Sequence, residues 1–138
     1  MALRAAGRGF TLVELCVVLA LTGLLATVAW PSWQAQLQRG YRADAVAALM
    51  RVQLAQESFR AHHGLYATQL NVLVGAAAPV SAQGLYDIEI AGGGDRYEAR
   101  ARARAGSAVA SDGACAVLSL QVRDGLSDYA PSARCWNR

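Results

Sequence analysis

The 138-residue sequence contains no lysine; all thirteen of its basic residues are arginine. It has only two histidines, adjacent at His62 and His63, and three cysteines, Cys16, Cys115 and Cys135. Neighbouring residues on a helix point about 100° apart. No cysteine or carboxylate cluster joins the histidines, so no metal site is expected. No nucleophile–base pair and no phosphate-binding loop stands out either. These absences point away from catalysis, to a protein that is not an enzyme and takes no cofactor. Ten acidic residues leave a formal charge of +3. Arg4 and Arg8 stand before the first apolar run, and without them eleven basic residues face ten acidic ones, a charge of +1. The pI near 9.0 is partly a property of that leader and argues only weakly for nucleic acid.

The length allows one modest domain, since domains commonly run to roughly 100–200 residues. The apolar weight is concentrated between Phe10 and Trp30, where FTLVELCVVLALTGLLATVAW holds twenty-one residues and one charge, Glu14. At about 1.5 Å per residue this spans roughly 30 Å, the hydrocarbon thickness of a bilayer. Arginines before the run and none after it until Arg39 place the N-terminus in the cytoplasm and export the remainder. A cleaved secretory signal fits less well, because the apolar core is long and carries a carboxylate. A lipoprotein signal fits less well too, because Leu15 precedes Cys16 and the core follows it. A plain anchor gives no reason for Glu14, since a charge deep in a bilayer costs about 2.5–3.5 kcal/mol on insertion scales. If the chain is cut between Gly9 and Phe10, a new amine arises four residues before Glu14, on this chain or on a neighbouring copy. Neutralising both charges in low dielectric favours association, offset by desolvation.

Arg8-Gly9-Phe10-Thr11-Leu12-Val13-Glu14-Leu15 at the head of an apolar helix resembles the class III signal of type IV pilins and pseudopilins. Pro31-Ser32-Trp33-Gln34, Arg39, Arg42-Ala43, Ala47-Ala48-Leu49 and Gly64-Leu65-Tyr66-Ala67 continue the likeness. It is close over the first seventy residues and holds in outline beyond them. The resemblance implies that residues 1–9 form a leader, with Gly9 the last residue before cleavage by a prepilin peptidase. It implies that Phe10 becomes the N-methylated first residue and that Glu14 pairs with a neighbour's Phe10 amine during assembly. Thr11 would belong to the same assembly motif. Gly23 and Pro31 would bound a stretch that can lose regular helical bonding inside a filament, which suits glycine's weak helix preference and proline's missing donor.

From Ser32 to His63 the pattern predicts a continuing helix, with Leu37, Tyr41, Ala45, Ala48, Val52, Ala55 and Phe59 in one apolar stripe. Gln36, Arg39, Arg42, Arg51 and Arg60 fall mostly away from it. Gly64 is a fitting stop, with two histidines at the negative end of the helix dipole. Residues 64–84, including Pro79, read as a loop. A hairpin follows: Tyr86, Ile88 and Ile90 alternate with Asp87 and Glu89, Gly92-Gly93-Gly94-Asp95 turns, and Tyr97, Ala99, Ala101 and Ala103 alternate with Glu98 and arginines. A third strand is expected at Ala116–Val122, and Asp124-Gly125 turns the chain back. Small alanine side chains let the helix sit close to the sheet.

Arg96, Arg100, Arg102 and Arg104 form the one ladder to which DNA phosphates could attach. The plainer reading is a solvated strand face with Asp87 and Glu89 opposite and no aromatic residues for base stacking. Cys115 and Cys135 make an even pair in an exported domain, hence a disulfide candidate closing about twenty residues and contributing roughly 3 kcal/mol. The alternative is three reduced thiols in a cytosolic protein. Cys135-Trp136 also resembles the ending of many pilins, and pseudopilins generally lack the bridge.

The expected fold is α+β, with a leader at 1–9, a transmembrane and assembly helix at 10–31 and an exported domain at 32–138. In that domain the amphipathic half of the helix packs on a three- to four-stranded antiparallel sheet. The expected function is a type IV pilus subunit, minor or accessory given its short plain loop. It would be held in the inner membrane and then polymerised by the assembly machinery with other pilins into an extracellular pilus. A type II secretion pseudopilin and a DNA-uptake pilin are the alternatives.

Overall fold

A computed structural model describes residues 9–75 and 80–138. Most of the expected leader, with Arg4 and Arg8, and the loop residue Pro79 lie outside the described residues. The chain divides into two compact units, Met1–Gln36 and Leu37–Arg138. One helix, α1 (Leu12–His63), contributes to both.

Within the first unit α1 is exposed along its apolar length, and its eighteen-residue apolar window is long enough to cross a membrane. The hydroxyls of this segment are satisfied locally. Thr22 Oγ1 donates to the Val18 carbonyl at 2.8 Å, Thr27 Oγ1 to Leu24 at 2.7 Å and Ser32 Oγ to Ala29 at 2.8 Å. Such back-bonding lets polar side chains sit on a lipid-facing helix without an orphaned donor. The helix runs unbroken through Gly23 and Pro31.

The second unit is an α+β layer. Strands β1 (Tyr86–Gly93), β2 (Arg96–Ala103), β3 (Val117–Arg123) and β4 (Leu126–Ala130) pair in chain order as an antiparallel meander. Alternation sends Tyr86, Ile88, Tyr97, Ala99, Ala101, Leu118, Leu120 and Val122 inward, against Ala45, Ala48, Leu49 and Val52 of α1. Small residues lie on both sides of this contact, Ala45 and Ala48 on the helix and Ala99 and Ala101 on the sheet. Gly64, at φ +78°, ends the helix in the left-handed region as expected.

Four details depart from the sequence reading. Residues 64–84 are not loop throughout: Leu70–Val74 forms a short helix, α2, too brief to show a period. The hairpin turn is narrower than four residues, because pairing persists to Gly93↔Arg96 and leaves Gly94-Asp95 as the connection. Gly92 and Gly93 belong to β1; Gly92 takes φ +97°, and a Cβ on Gly93 would run into Thr68 Cγ2. The third strand begins at Val117 and ends at Arg123, shifted by one residue at each end. Finally, Arg42 does not lie away from the core. It is 6% exposed, together with buried Asp44 and Gln56, because each has a polar partner that the helical period cannot reveal.

Candidate functional site

At the start of α1, Thr11 and Glu14 hold each other. The Glu14 backbone N–H donates to Thr11 Oγ1 at 3.2 Å, and the Thr11 N–H faces Glu14 Oε2 at 3.5 Å. This is a capping box: residues three apart satisfy two of the donors that a helix start leaves orphaned. The carboxylate also lies at the positive end of the helix dipole. The T-x-x-E spacing is visible in Thr11-Leu12-Val13-Glu14, and reading Glu14 only for its charge passes over it. Its geometry keeps the carboxylate against the main chain one residue from Phe10. Phe10 itself is exposed, as are Gly9 and Cys16.

The arginines of β2 share the outer face of the sheet with carboxylates. Arg100 donates through Nε and Nη2 to the two Glu98 oxygens at 2.7 and 2.6 Å. That two-pronged bond holds the Glu98 carboxyl below its usual range, against some burial, with Gln121 assisting. Arg104 lies 3.2 Å from Asp87, and Arg96 lies 3.4 Å from Asp95. Arg102 is the register partner of Asp87, and Glu89 that of Arg100. The ladder is therefore interleaved with acids along its length.

On the inner side, Arg42 meets Asp112 through Nε–Oδ2 and Nη2–Oδ1 at 2.7 and 2.6 Å. Gln56 satisfies the backbone of Ala67 in both senses, Nε2 to its carbonyl at 3.0 Å and Oε1 from its N–H at 2.8 Å. Arg60 and Glu57 share the Tyr66 hydroxyl, each at 2.9 Å. A disulfide joins Cys115 to Cys135 and ties the C-terminal turn to the segment before β3. His62 and His63 bond back to the Ser58 and Phe59 carbonyls, and no group of three metal-ligating side chains occurs among the described residues.

Residues 4–30 match the family model of the prokaryotic N-terminal methylation motif. Residues 31–119 match the model described as type IV minor pilin ComP, DNA uptake sequence receptor. The chain belongs to this minor pilin family. Among curated proteins it resembles the type IV major pilin protein PilE of Neisseria gonorrhoeae, 32% identical over 83 residues, 60% of this chain and 49% of that one. It also resembles the fimbrial protein of Neisseria meningitidis serogroup A, 32% identical over 79 residues, 57% of this chain and 46% of that one. The chain thus spans about half the length of the curated relatives it matches. No solved structure matches it. As a pilin it belongs to a structural family. The exposed apolar helix and the methylation motif fit a membrane-anchored subunit.

Proposed function

We propose that this minor pilin enters the inner membrane as a single-pass protein with its N-terminus in the cytoplasm. A prepilin peptidase cuts it after Gly9, and Phe10 is N-methylated. The assembly machinery then draws it into an extracellular filament with other pilins, where Glu14 pairs with the Phe10 amine of a neighbour. The observation that carries this reading is Glu14, the single acid in an otherwise apolar and wholly exposed segment, at the head of a matched methylation motif. The capping box adds a second role, starting the helix and holding the carboxylate beside the main chain near Phe10 until a neighbour arrives. Gly23 and Pro31 supply the stretch that yields when helices pack. The bridge between Cys115 and Cys135 favours a pilus subunit over a secretion pseudopilin.

The two roles of Glu14 separate in Glu14→Gln, which can keep the capping-box hydrogen bond but not the charge. This variant should insert in the membrane and be cleaved normally, yet be depleted from sheared filaments at least about tenfold, as loss of a charge pair in low dielectric implies. Wild-type abundance of Glu14→Gln in filaments would remove the assembly role.

A second reading is DNA contact during uptake, favoured by the description of the matched family. Arg96, Arg100, Arg102 and Arg104 are its first candidates. The reading expects salt-sensitive duplex binding by this chain.

A further inference from the structure

Apart from Arg51, which lies alone on α1 with its Nε donating to the Ala47 carbonyl at 3.3 Å, the exposed arginines of the second unit fall into two sets with different surroundings. Three of those on the outer sheet face have ion-pair partners, Glu98 for Arg100, Asp87 for Arg104 and Asp95 for Arg96, and Arg102 has no ion pair of its own but stands opposite Asp87 in register. Arg123 shares a shallow concavity with Asp124 and Asp128. A polyanion approaching this face meets nearly as many negative charges as positive ones.

The second set is built from two distant segments. Arg39 lies on α1, and Arg134 and Arg138 lie in the C-terminal turn; all three are exposed. Asn137 Nδ2 donates to the Arg39 carbonyl at 3.0 Å, which fixes the turn against the helix. The turn is closed by the Arg138 N–H on the Ala133 carbonyl at 2.9 Å and the Asn137 N–H on Arg134 at 3.3 Å. Buried Trp136 anchors it through an indole N–H on the Ala130 carbonyl at 2.9 Å, and Cys135 through its disulfide. Neither residues 37–41 (LQRGY) nor residues 131–138 (PSARCWNR) contain an acidic side chain. The carboxylates of neighbouring elements form no ion pair with these arginines. Arg42 takes both Asp112 oxygens, Asp44 is buried and accepts from the Gln83 N–H through Oδ1 while its Oδ2 has no partner, and Asp128 pairs in register with Gln121, on the outer face. None of the three arginines has an ion pair among the described residues. Even with a main-chain carboxylate counted at Arg138, the patch stays positive.

We infer that Arg39, Arg134 and Arg138 form a phosphate-gripping surface for the backbone of duplex DNA. The inference rests on the DNA-contact reading and moves it from the outer sheet face to the disulfide-tethered turn. Three unpaired guanidiniums on a rigid turn and helix can each displace counterions from a phosphate without first breaking an internal ion pair. The Arg138 guanidinium stacks 4.2 Å above the Tyr129 ring, which limits its conformational freedom while leaving its N–H rim available. The aromatic residues here are engaged internally, Tyr129 against Trp136 at 4.8 Å. The surface therefore offers no platform for unstacked bases, which favours duplex over single strands. Arg134 and Arg138 also lie beyond residue 119, where the family match ends.

The test uses the full chain in nonionic detergent micelles and a short fluorescent DNA duplex, with anisotropy read between about 50 and about 200 mM salt. Replacing Arg39, Arg134 and Arg138 together by Gln should weaken binding about tenfold or more. It should also flatten the salt dependence by about 0.9 for each phosphate no longer neutralised, up to about 2.7. Replacing Arg96, Arg100, Arg102 and Arg104 by Gln removes one charge more and should leave most of the affinity. Asn137→Ala keeps every charge but frees the turn from α1, and should weaken binding severalfold. Far-ultraviolet circular dichroism confirms that each variant is folded. If the unsubstituted chain binds no duplex, the DNA-contact reading itself fails. If it binds and only the outer-face variant loses affinity, or both variants lose it in proportion to charge, that reading stands and this assignment is overturned.

Discussion

Arg42 and Asp112 stand seventy residues apart in the chain and meet in a buried two-pronged ion pair, at 2.7 and 2.6 Å. The pair ties α1 to the segment that leads into the 3-10 turn at Gly113–Cys115 and the disulfide. The bond to Asp112 raises the Arg42 pKa above its ordinary value despite the opposing effect of burial, so the guanidinium stays charged at every working pH. Removing one partner leaves the other charge buried and unpaired, which costs about 3–5 kcal/mol. Arg42→Met and Asp112→Ala should each lower stability by an amount of that order, measured by urea unfolding in micelles. The double variant should lose less than the sum of the two. Strict additivity would mean that the pair does not act as a unit.

The disulfide spans a separation of 20 residues. The chain-entropy relation gives roughly 3 kcal/mol for a loop of that size. Replacing Cys115 and Cys135 together by Ala should lower the unfolding midpoint of the C-terminal unit accordingly, and a reducing agent should do the same to the unsubstituted chain. Identical melts with and without reductant would contradict a structural bridge.

The Tyr86 hydroxyl is buried with no hydrogen-bond partner, and burial, then the Asp112 charge, push its pKa to about 12. A phenol whose folded pKa lies above its unfolded value of about 10 contributes stability that is complete below pH 10. That contribution is lost as pH rises through 10 towards about 12. Tyr97 is raised in the same direction, chiefly by burial. Phenolate absorbance should therefore show two sets among the five tyrosines, the late set ionising as the helical signal is lost. A single transition near the ordinary value would contradict this. Tyr86→Phe should be neutral or stabilising by up to about 1 kcal/mol, because it removes an unsatisfied polar group.

The elements that follow a local period are legible in the sequence. Glu14 stands out against an apolar run, Gly64 marks the end of α1, and the alternation from Tyr86 to Ala103 describes the hairpin with its inner and outer faces. What stays hidden depends on partners distant in the chain. Arg42 reads as a residue off the apolar stripe until Asp112 is brought beside it, and nothing local marks Gln56 as the buried partner of the Ala67 backbone. Gly93 reads as turn until Thr68 is found against it. Short α2 has five residues, too few for any period to show. The capping box is written in the sequence too, but one residue carries two functions there and its charge is the louder signal. The arginine ladder is plain in the alternation of β2, whereas its neutralisation by Glu98, a neighbour on its own strand, depends on side-chain geometry.

Cleavage at the bond after Gly9, and incorporation into a filament through the helix that begins there, underlie the pilus-subunit function proposed for this chain. Mass spectrometry of surface filaments, sheared and purified, reads both events at once. The expected result is a sub-stoichiometric pilin whose N-terminal peptide begins with N-methylated Phe10. Filaments that lack the chain, or that contain it beginning at Met1, would contradict the proposal.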